Sequence, residues 1–218
     1  MSQQLKQKSW SYSQLSAYEQ CAHAHMYRRI VKLPEPPSYH LQNGTYVHSL
    51  AENFLLGKTK ELPKELSKFT KEFNNLLEAK AIPEEAIVLR KDWSHIGGEE
   101  AWMSDEAWLR LKLDARIENY LVDFKTGKVY DEHVKQGRLY ANVHMLMHQD
   151  VAEVDVEFWY LNSGQVVSHV FYRDDLEKDV AEWERRVEIM HNDASFIPTP
   201  HQYCRNCYVK HLCTAQSA

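Results

Sequence analysis

Two aspartates and a lysine lie in a short stretch whose residue types could support metal-dependent chemistry. Asp114 is part of "LKLDARI", and Asp123 and Lys125 belong to "YLVDFK" just downstream. Carboxylate oxygens are preferred ligands of Mg²⁺ and Mn²⁺. A lysine beside such a metal can orient a water molecule and steady the negative charge that develops on a phosphate. These three residues are therefore the first candidates for a catalytic site.

The surrounding pattern predicts a β-hairpin that would bring the two aspartates together. Apolar and polar residues alternate over 107–118, the period of a strand with one buried face, and an apolar run follows at 120–124. With 118–119 as a two-residue turn, in which the asparagine tolerates positive φ, Asp114 and Asp123 face each other. A register slip of one residue would separate them.

A more ordinary interpretation of the same strands stays open. A polar strand face with lysine, arginine and aspartate is commonly a solvated face with scattered ion pairs. Directly opposed carboxylates repel each other and destabilise a sheet unless a positive charge lies between them. The hairpin alone therefore does not separate a catalytic site from a solvated surface.

The four cysteines form the second candidate site. Cys204, Cys207 and Cys213 lie in "YCRNCYVKHLC", and Cys21 is the only other cysteine in the chain. Clustered cysteines in a reducing cytosol are more often metal ligands or catalytic thiols than disulfides. Four thiolates suit Zn²⁺ as well as a 4Fe-4S cluster, and nearby histidines keep a mixed zinc site open. Such a site would join the two ends of the chain as a staple.

Charge is unevenly distributed along the chain. The formal net charge is -5, yet 1–34 carries five basic residues against one acid, and 198–218 carries two basic residues and no acid. The cysteine-bearing ends are therefore where a polyanion meets least repulsion. The candidates for phosphate contacts are Arg28, Arg29 and Lys32, and those for stacking on unpaired bases are Trp10, Tyr12 and Tyr27.

The elements that must position these residues form a mixed α/β order. One helix at about 13–31 carries Cys21, and a second at about 45–56 carries His48. The remaining predicted elements are a helix at 64–80, a short strand at 86–89, the hairpin, a helix at 134–148, strands at 154–161 and 166–172, and a helix at 174–191. No apolar run is long enough to predict a membrane span.

Several stretches resemble one family in the same order along the chain. "LKLDARIENYLVDFKTGK" resembles the core of the PD-(D/E)XK nuclease superfamily, in which an aspartate on one strand precedes an acid-x-lysine on the next. The other stretches are similar to its RecB-like iron-sulfur branch: "SYSQLSAYEQCAHAHMY", "GTYVHSLAE", the Gln-x-x-x-Tyr motif in "QGRLY", and the C-x2-C-x5-C ending. One departure is Ala22, which follows the first cysteine at a position where the family often has proline. The acid of the acid-x-lysine motif is Asp123 rather than the commoner glutamate, which the motif permits.

The resemblance implies a role for each motif residue. The implied catalytic residues are Asp114, Asp123, Lys125, Gln136 and Tyr140. The implied ligands of Mg²⁺ or Mn²⁺ are His48, Asp114, Asp123 and the carbonyl of Phe124. The implied ligands of a 4Fe-4S cluster, with zinc as the alternative, are Cys21, Cys204, Cys207 and Cys213.

The fold implied is α/β, with a restriction-endonuclease-like core whose mixed central sheet is flanked by helices. We expect a single nuclease domain over 1–218, in which 1–34 and 198–218 are joined by the four-cysteine metal cluster. The function implied is a Mg²⁺- or Mn²⁺-dependent deoxyribonuclease, an exonuclease that hydrolyses phosphodiester bonds at single-stranded DNA ends.

The related proteins implied are CRISPR-associated RecB-like exonucleases, phage-encoded relatives and AddB-type nuclease domains. The expected partners are therefore DNA with free ends and proteins of recombination or CRISPR adaptation, in the cytoplasm of a bacterial or archaeal cell, with no membrane. The resemblance is compatible with an oligomer. The alternative function is a non-catalytic DNA-binding or assembly partner with a zinc-stapled or iron-sulfur fold, although the full set of motif residues argues against it.

Overall fold

The computed structural model describes residues 9–36 and 38–215. Its helices are α1 (Tyr12–Gln20), α2 (Ala22–Arg29), α3 (Tyr39–Leu55), α4 (Thr70–Glu78), α5 (Glu132–Met147) and α6 (Leu176–Asn192). Its strands are β1 (Ile82–Leu89), β2 (Leu109–Ile117), β3 (Tyr120–Lys125), β4 (Glu153–Tyr160) and β5 (Gln165–Tyr172). Across the described ranges, no helix combines the length and the apolar character needed to cross a membrane.

The five strands form one mixed sheet in the order β1-β2-β3-β4-β5. The β3–β4 pair is parallel and the other pairs are antiparallel. A parallel pair needs a long crossover connection, and α5 supplies it between β3 and β4. The predicted α/β fold with a mixed sheet flanked by helices is confirmed.

Two apolar clusters cover the sheet. One includes Leu113, Leu139 and Trp183, and so joins β2 to α5 and α6. The other includes Phe73 and Trp159, whose rings meet edge to face at 5.5 Å, and joins α3 and α4 to the strands. The strands between these clusters are thus held from both sides, which gives the side chains at their ends a rigid support.

The hairpin of β2 and β3 has the predicted register where the strands pair, with Ala115 opposite Val122 and Ile117 opposite Tyr120. The left-handed turn residue is Glu118, with φ 48°, rather than the predicted asparagine. The ladder ends at Ala115 and Val122, so the predicted direct pairing of the two aspartates is wrong.

The predicted single apolar face of β2 is also wrong, and the change occurs at Asp114. Leu113 packs in the cluster with α5 and α6, whereas Ala115 packs in the cluster with α3 and α4. On the neighbouring strand Glu84 has φ 53°, and it forms no ladder pair with Asp114 although the flanking pairs are in register. Such strain costs about 1–3 kcal/mol and is most often found at functional sites.

The amino-terminal region differs from the prediction in two ways. The predicted continuous helix is interrupted at Cys21, whose extended φ and ψ of -162° and 105° separate α1 from α2. Trp10 is 1% exposed and packs against Trp108 and Trp183, so it is a core residue and cannot stack on a base. Tyr12 also packs inward, since its hydroxyl donates to the carbonyl of Glu132 at 2.6 Å.

Candidate active site

The first half of the site is centred on Asp114, where β2 and β3 diverge. Asp114 Oδ1 lies 3.0 Å from His48 Nδ1, and its Oδ2 accepts a hydrogen bond from the backbone N–H of Phe124 at 2.6 Å. The core residues Val47 and Ala51 of α3 orient that helix so that His48 reaches the strand end. The Phe124 side chain is buried in the same cluster, which leaves only its backbone for the site.

The second half of the site is a polar chain from β3 to α5. Lys125 Nζ lies 2.6 Å from Asp123 Oδ2 and donates to Gln136 Oε1 at 2.8 Å. Gln136 Nε2 in turn donates to the hydroxyl of Tyr140 at 2.5 Å. Gln136 and Tyr140 lie one turn apart on one face of α5, so the helix presents both to the same strand end.

Gly137 explains how α5 comes close enough to make these contacts. A Cβ at this position would lie 2.7 Å from Phe158 Cζ and 3.1 Å from Val156 Cγ1, both on β4. Only glycine tolerates that approach without a shift. The glycine of "QGRLY" therefore sets the distance between the helix and the sheet, and with it the reach of Gln136 toward Lys125.

One cleft of about 270 Å³ brings the predicted residues together. Every predicted catalytic and divalent-metal residue lines it: His48, Asp114, Asp123, Phe124, Lys125, Gln136 and Tyr140. A wider cleft of about 570 Å³ adjoins it along α3 and shares His48, Asp114 and Thr126 with it. The catalytic cleft, as we call the smaller one, is thus continuous with a second groove.

Charge compensation in the cleft is visible in the pKa shifts. Burial and the charge of Asp123 raise the pKa of Asp114, although His48 and the Phe124 N–H oppose the change. Burial lowers the pKa of His48, but the hydrogen bond and charge of Asp114 outweigh it and raise the value to about 9. Without a bound cation, the His48 imidazolium therefore balances the carboxylates. Burial, followed by both aspartates, raises the pKa of Tyr140, which keeps its hydroxyl protonated.

Glu84 is a functional candidate that the sequence did not single out. Ligand atoms of Glu84, His48 and Asp114 all lie within 4.8 Å of one another, and among the described residues they form the one group of this kind. Glu84 also forms an ion pair with Lys112. The signal was present only as an acid in "PEEAIV", because the register of β1 against β2 was needed to place it beside Asp114.

The four cysteines line one small cavity and form no disulfide. In the part of the chain that the structure describes, no three of their sulfurs lie within 4.8 Å of one another. The closed four-thiolate site that the sequence predicted is therefore not shown.

The chain segments that carry these cysteines nevertheless contact each other. His23 Nδ1 lies 3.3 Å from the carbonyl of Phe196, and its Nε2 lies 3.3 Å from that of Leu212. The Tyr208 hydroxyl donates to the carbonyl of Ala24 at 3.4 Å. These contacts place α2 against the carboxyl-terminal segment.

Solved structures with a similar fold include two with TM-scores above one half. The crystal structure of SSO0001 has 13% identity and a TM-score of 0.51, covering 98% of this chain and 89% of that one. An inferred exonuclease from Eubacterium rectale has 14% identity and a TM-score of 0.57, with coverages of 94% and 88%. The structure of LHK-Exo in complex with dAMP has 14% identity, coverages of 84% and 91%, and a TM-score of 0.39.

Identities this low show a shared fold and nothing finer. None of the curated proteins matches the chain significantly, and no comparison assigns it to the RecB-like iron-sulfur branch. The profile of the PD-(D/E)XK nuclease superfamily, however, matches residues 9–214, nearly the whole chain. With the strand-end aspartates, the following lysine and the Gln136–Tyr140 pair in one cleft, this match shows that the chain belongs to the PD-(D/E)XK nuclease superfamily.

Proposed function

We propose that this protein is a Mg²⁺- or Mn²⁺-dependent deoxyribonuclease that removes nucleotides from single-stranded DNA ends. The observation that carries the proposal is that two groups of interacting side chains line one cleft. His48 contacts Asp114 in the first group, and Lys125 contacts Asp123 and Gln136 in the second. The first group offers ligands for a hard cation, and the second offers donors for a phosphate and a water.

The residues of the cleft fit a divalent metal. Imidazole nitrogen and carboxylate oxygens from His48, Glu84 and Asp114 lie within 4.8 Å of one another, and Asp123 lines the same cleft. A largely oxygen-donor set of this kind suits Mg²⁺ or Mn²⁺. The metal would polarise a phosphoryl oxygen and lower the pKa of a water molecule.

The chain's own residues would position the reactants. Lys125, held by Asp123 and Gln136, would orient the attacking water and offset the charge that develops on the phosphate. Tyr140, whose hydroxyl is kept protonated by its raised pKa, fixes the rotamer of Gln136. Hydrolysis breaks one P–O bond of the phosphodiester, and the oxygen of the water replaces the leaving sugar oxygen.

Exposed aromatic surface supports the choice of unpaired DNA. Tyr130 lines the catalytic cleft and is 48% exposed, so a base with a free face could stack on it. Tyr130 therefore replaces the buried Trp10 as the candidate for stacking on an unpaired base. The biological setting that we propose, recombination or CRISPR adaptation in a bacterial, archaeal or phage system, rests on the resemblance of the motifs.

The test is cleavage of end-labelled single- and double-stranded DNA with Mn²⁺, with Mg²⁺ and with a chelator. We expect mononucleotides or short products from the single strand with Mn²⁺ and no cleavage with the chelator. A 5′ label compared with a 3′ label gives the direction, and a circular single strand separates an exonuclease from an endonuclease. Binding without cleavage under every metal condition would overturn the proposal in favour of the non-catalytic DNA-binding alternative.

We further propose that Cys21, Cys204, Cys207 and Cys213 hold a 4Fe-4S cluster, with zinc as the alternative. An all-thiolate set around one cavity supports either group. The preference for the cluster over zinc rests on the resemblance of the cysteine motif to the iron-sulfur branch.

The cofactor is tested on protein purified without oxygen. Iron and sulfide in the protein, with broad visible absorption, would support the cluster. Zinc at one equivalent with no visible absorption would support the alternative, and protein with full stability and neither metal would exclude both.

A further inference from the structure

His133 lies in the catalytic cleft although no sequence motif marks it. It belongs to the first turn of α5, three positions before Gln136, and it lines the cleft with Lys125. Its ring stacks on Phe158 with centroids 6.0 Å apart and an interplanar angle of 28°. The Tyr130 ring meets it edge to face at 5.6 Å. Aromatic side chains on two sides therefore hold the imidazole in one orientation.

The hydrogen bond between His133 and Tyr160 links the tautomer of the imidazole to the direction of that bond. Nδ1 lies 2.7 Å from the hydroxyl of Tyr160. Burial raises the pKa of that hydroxyl, although the backbone N–H of Tyr130 acts on it and opposes the change, and the phenol has one proton that it can donate to the imidazole. With the Tyr160 hydroxyl as the donor, Nδ1 is the acceptor, and the proton of the neutral ring is on Nε2.

The surroundings keep this imidazole neutral. Burial and the nearby Lys125 ammonium lower the pKa of His133, while Asp123 and Glu132 oppose the change. A neutral ring with Nδ1 engaged retains one N–H for another partner. Lys125 is already bonded to Asp123 and Gln136, so a donor beside it adds a contact that the lysine alone does not supply.

We propose that His133 is a substrate-binding residue whose Nε2–H donates a hydrogen bond to a non-bridging oxygen of the DNA phosphate in the catalytic cleft. The inference rests on the proposed nuclease function, and it identifies a further residue for that reaction. Tyr160 acts through His133, because it selects the tautomer and does not itself contact the phosphate. Phosphate is the fitting ligand, since a preorganised N–H gains most from an anionic oxygen.

The variants His133→Ala, His133→Gln and Tyr160→Phe test the proposal, with His148→Ala as the matched control. His148 caps the other end of α5, and its ring contacts His144 outside the cleft. Binding of a 5′-phosphorylated oligothymidylate is measured with Ca²⁺ under conditions without cleavage, and kcat/KM is measured with Mn²⁺. Thermal unfolding of each variant shows whether the fold is kept.

We expect His133→Ala to lower kcat/KM by about 10- to 100-fold, the range for a lost hydrogen bond to a charged group. His133→Gln should restore part of the loss because its amide can donate. Tyr160→Phe should cause a smaller loss, since the ring keeps its place without a fixed tautomer. His148→Ala should match the wild type.

Nuclear magnetic resonance of wild-type protein with ¹⁵N-labelled histidine tests the tautomer without any substitution. The expected result is a neutral His133 protonated at Nε2, with an Nε2 signal that moves on addition of the phosphorylated oligothymidylate. A ring protonated at Nδ1, or an Nε2 signal that does not move at saturation, would overturn the inference. If His133→Ala cleaves like an active wild type, only this inference fails; if the wild type neither binds nor cleaves DNA, the proposed function fails first.

Discussion

In the catalytic cleft, side chains from α3, β2, β3 and α5 already bond one another, whereas at the cysteine cavity no side-chain hydrogen bond joins one described cysteine to another. The cleft residues stand on strands and helices with buried cores on both sides. Three of the cysteines stand on or beside short 3-10 turns, Cys204–Asn206 and Lys210–Leu212. The difference teaches that the described side chains already join one another across the catalytic cleft, whereas those of the four cysteines do not.

The largest expected effect is a loss of catalysis without a loss of stability. Asp114→Asn keeps an acceptor for the Phe124 N–H but removes a charge needed for a cation, so cleavage should fall by about 1000-fold or more. End-labelled cleavage assays and thermal unfolding measure the two properties, and Mn²⁺ binding is followed by electron paramagnetic resonance. Asp155→Asn, which makes the same change at an exposed carboxylate on β4, is the matched control. If Asp114→Asn unfolds the protein, the expectation that this residue serves catalysis rather than stability is wrong.

The opposite result is expected at the cysteine cavity. If the four cysteines hold the proposed cluster or zinc, each single Cys→Ser change should release it and lower the free energy of unfolding by about 2–5 kcal/mol, as loss of a cross-link that closes a long loop does. Metal analysis and urea unfolding are the measurements. Thr199 also lines the cavity, and Thr199→Ala removes no thiolate. This control should leave the metal content and the free energy of unfolding unchanged. If Cys21→Ser is neutral while Cys204→Ser is not, the two segments are not joined through one site.

A substitution between helix and sheet should affect both stability and activity. In Gly137→Ala the new Cβ meets Phe158 and Val156 on β4, so α5 must move outward. We expect a loss of about 1–3 kcal/mol from overpacking and a drop in kcat of about 10-fold because Gln136 shifts from Lys125. Gly97→Ala, whose nearest new contact is 3.9 Å away, is the control. Unchanged kcat with lowered stability would show that the reach of Gln136 is not critical.

The smallest effect is a pH dependence of stability that comes from two buried histidines, one of them near the cysteine cavity. Burial, followed by neighbouring positive charges, lowers the pKa of His25 near the cysteine cavity and of His144 on α5 to about 4. The unfolded chain binds a proton near pH 6.5 and the folded chain does not, so this stability is complete above pH 6.5 and is lost as the pH falls toward 4. The slope is at most about 1.4 kcal/mol per pH unit for each histidine.

Urea unfolding between pH 7 and pH 5 measures this slope in the wild type, in His25→Gln and in His144→Gln. Each substitution should reduce the slope of the free energy of unfolding against pH by the contribution of one histidine. An equal slope in all three proteins would mean that neither histidine is responsible for the loss of stability in acid.

The hairpin illustrates how much the sequence could predict. Alternation over 107–118 and the apolar run after it gave the correct pairing of Ala115 with Val122, since local period and turn length decide register near a turn. The end of the β2–β3 ladder at this pair was not predictable, because Asp114 also lies beside Glu84 of β1, which has a positive φ and comes from a distant part of the chain. Glu84 and His133 were not identified from the sequence for the same reason, because distant contacts place them at the site.

The sequence by itself determined the order of the elements, the strand period, the family motifs and the types of the residues that could do chemistry. Those properties follow from local periodicity and from residue identity, which do not require knowledge of distant contacts. Only the tertiary structure decided that His48 bonds Asp114, that Trp10 is core, and that Gly137 brings α5 against β4. These facts depend on which surfaces of remote elements pack together, and that is decided by the burial of the whole core rather than by any single stretch of chain.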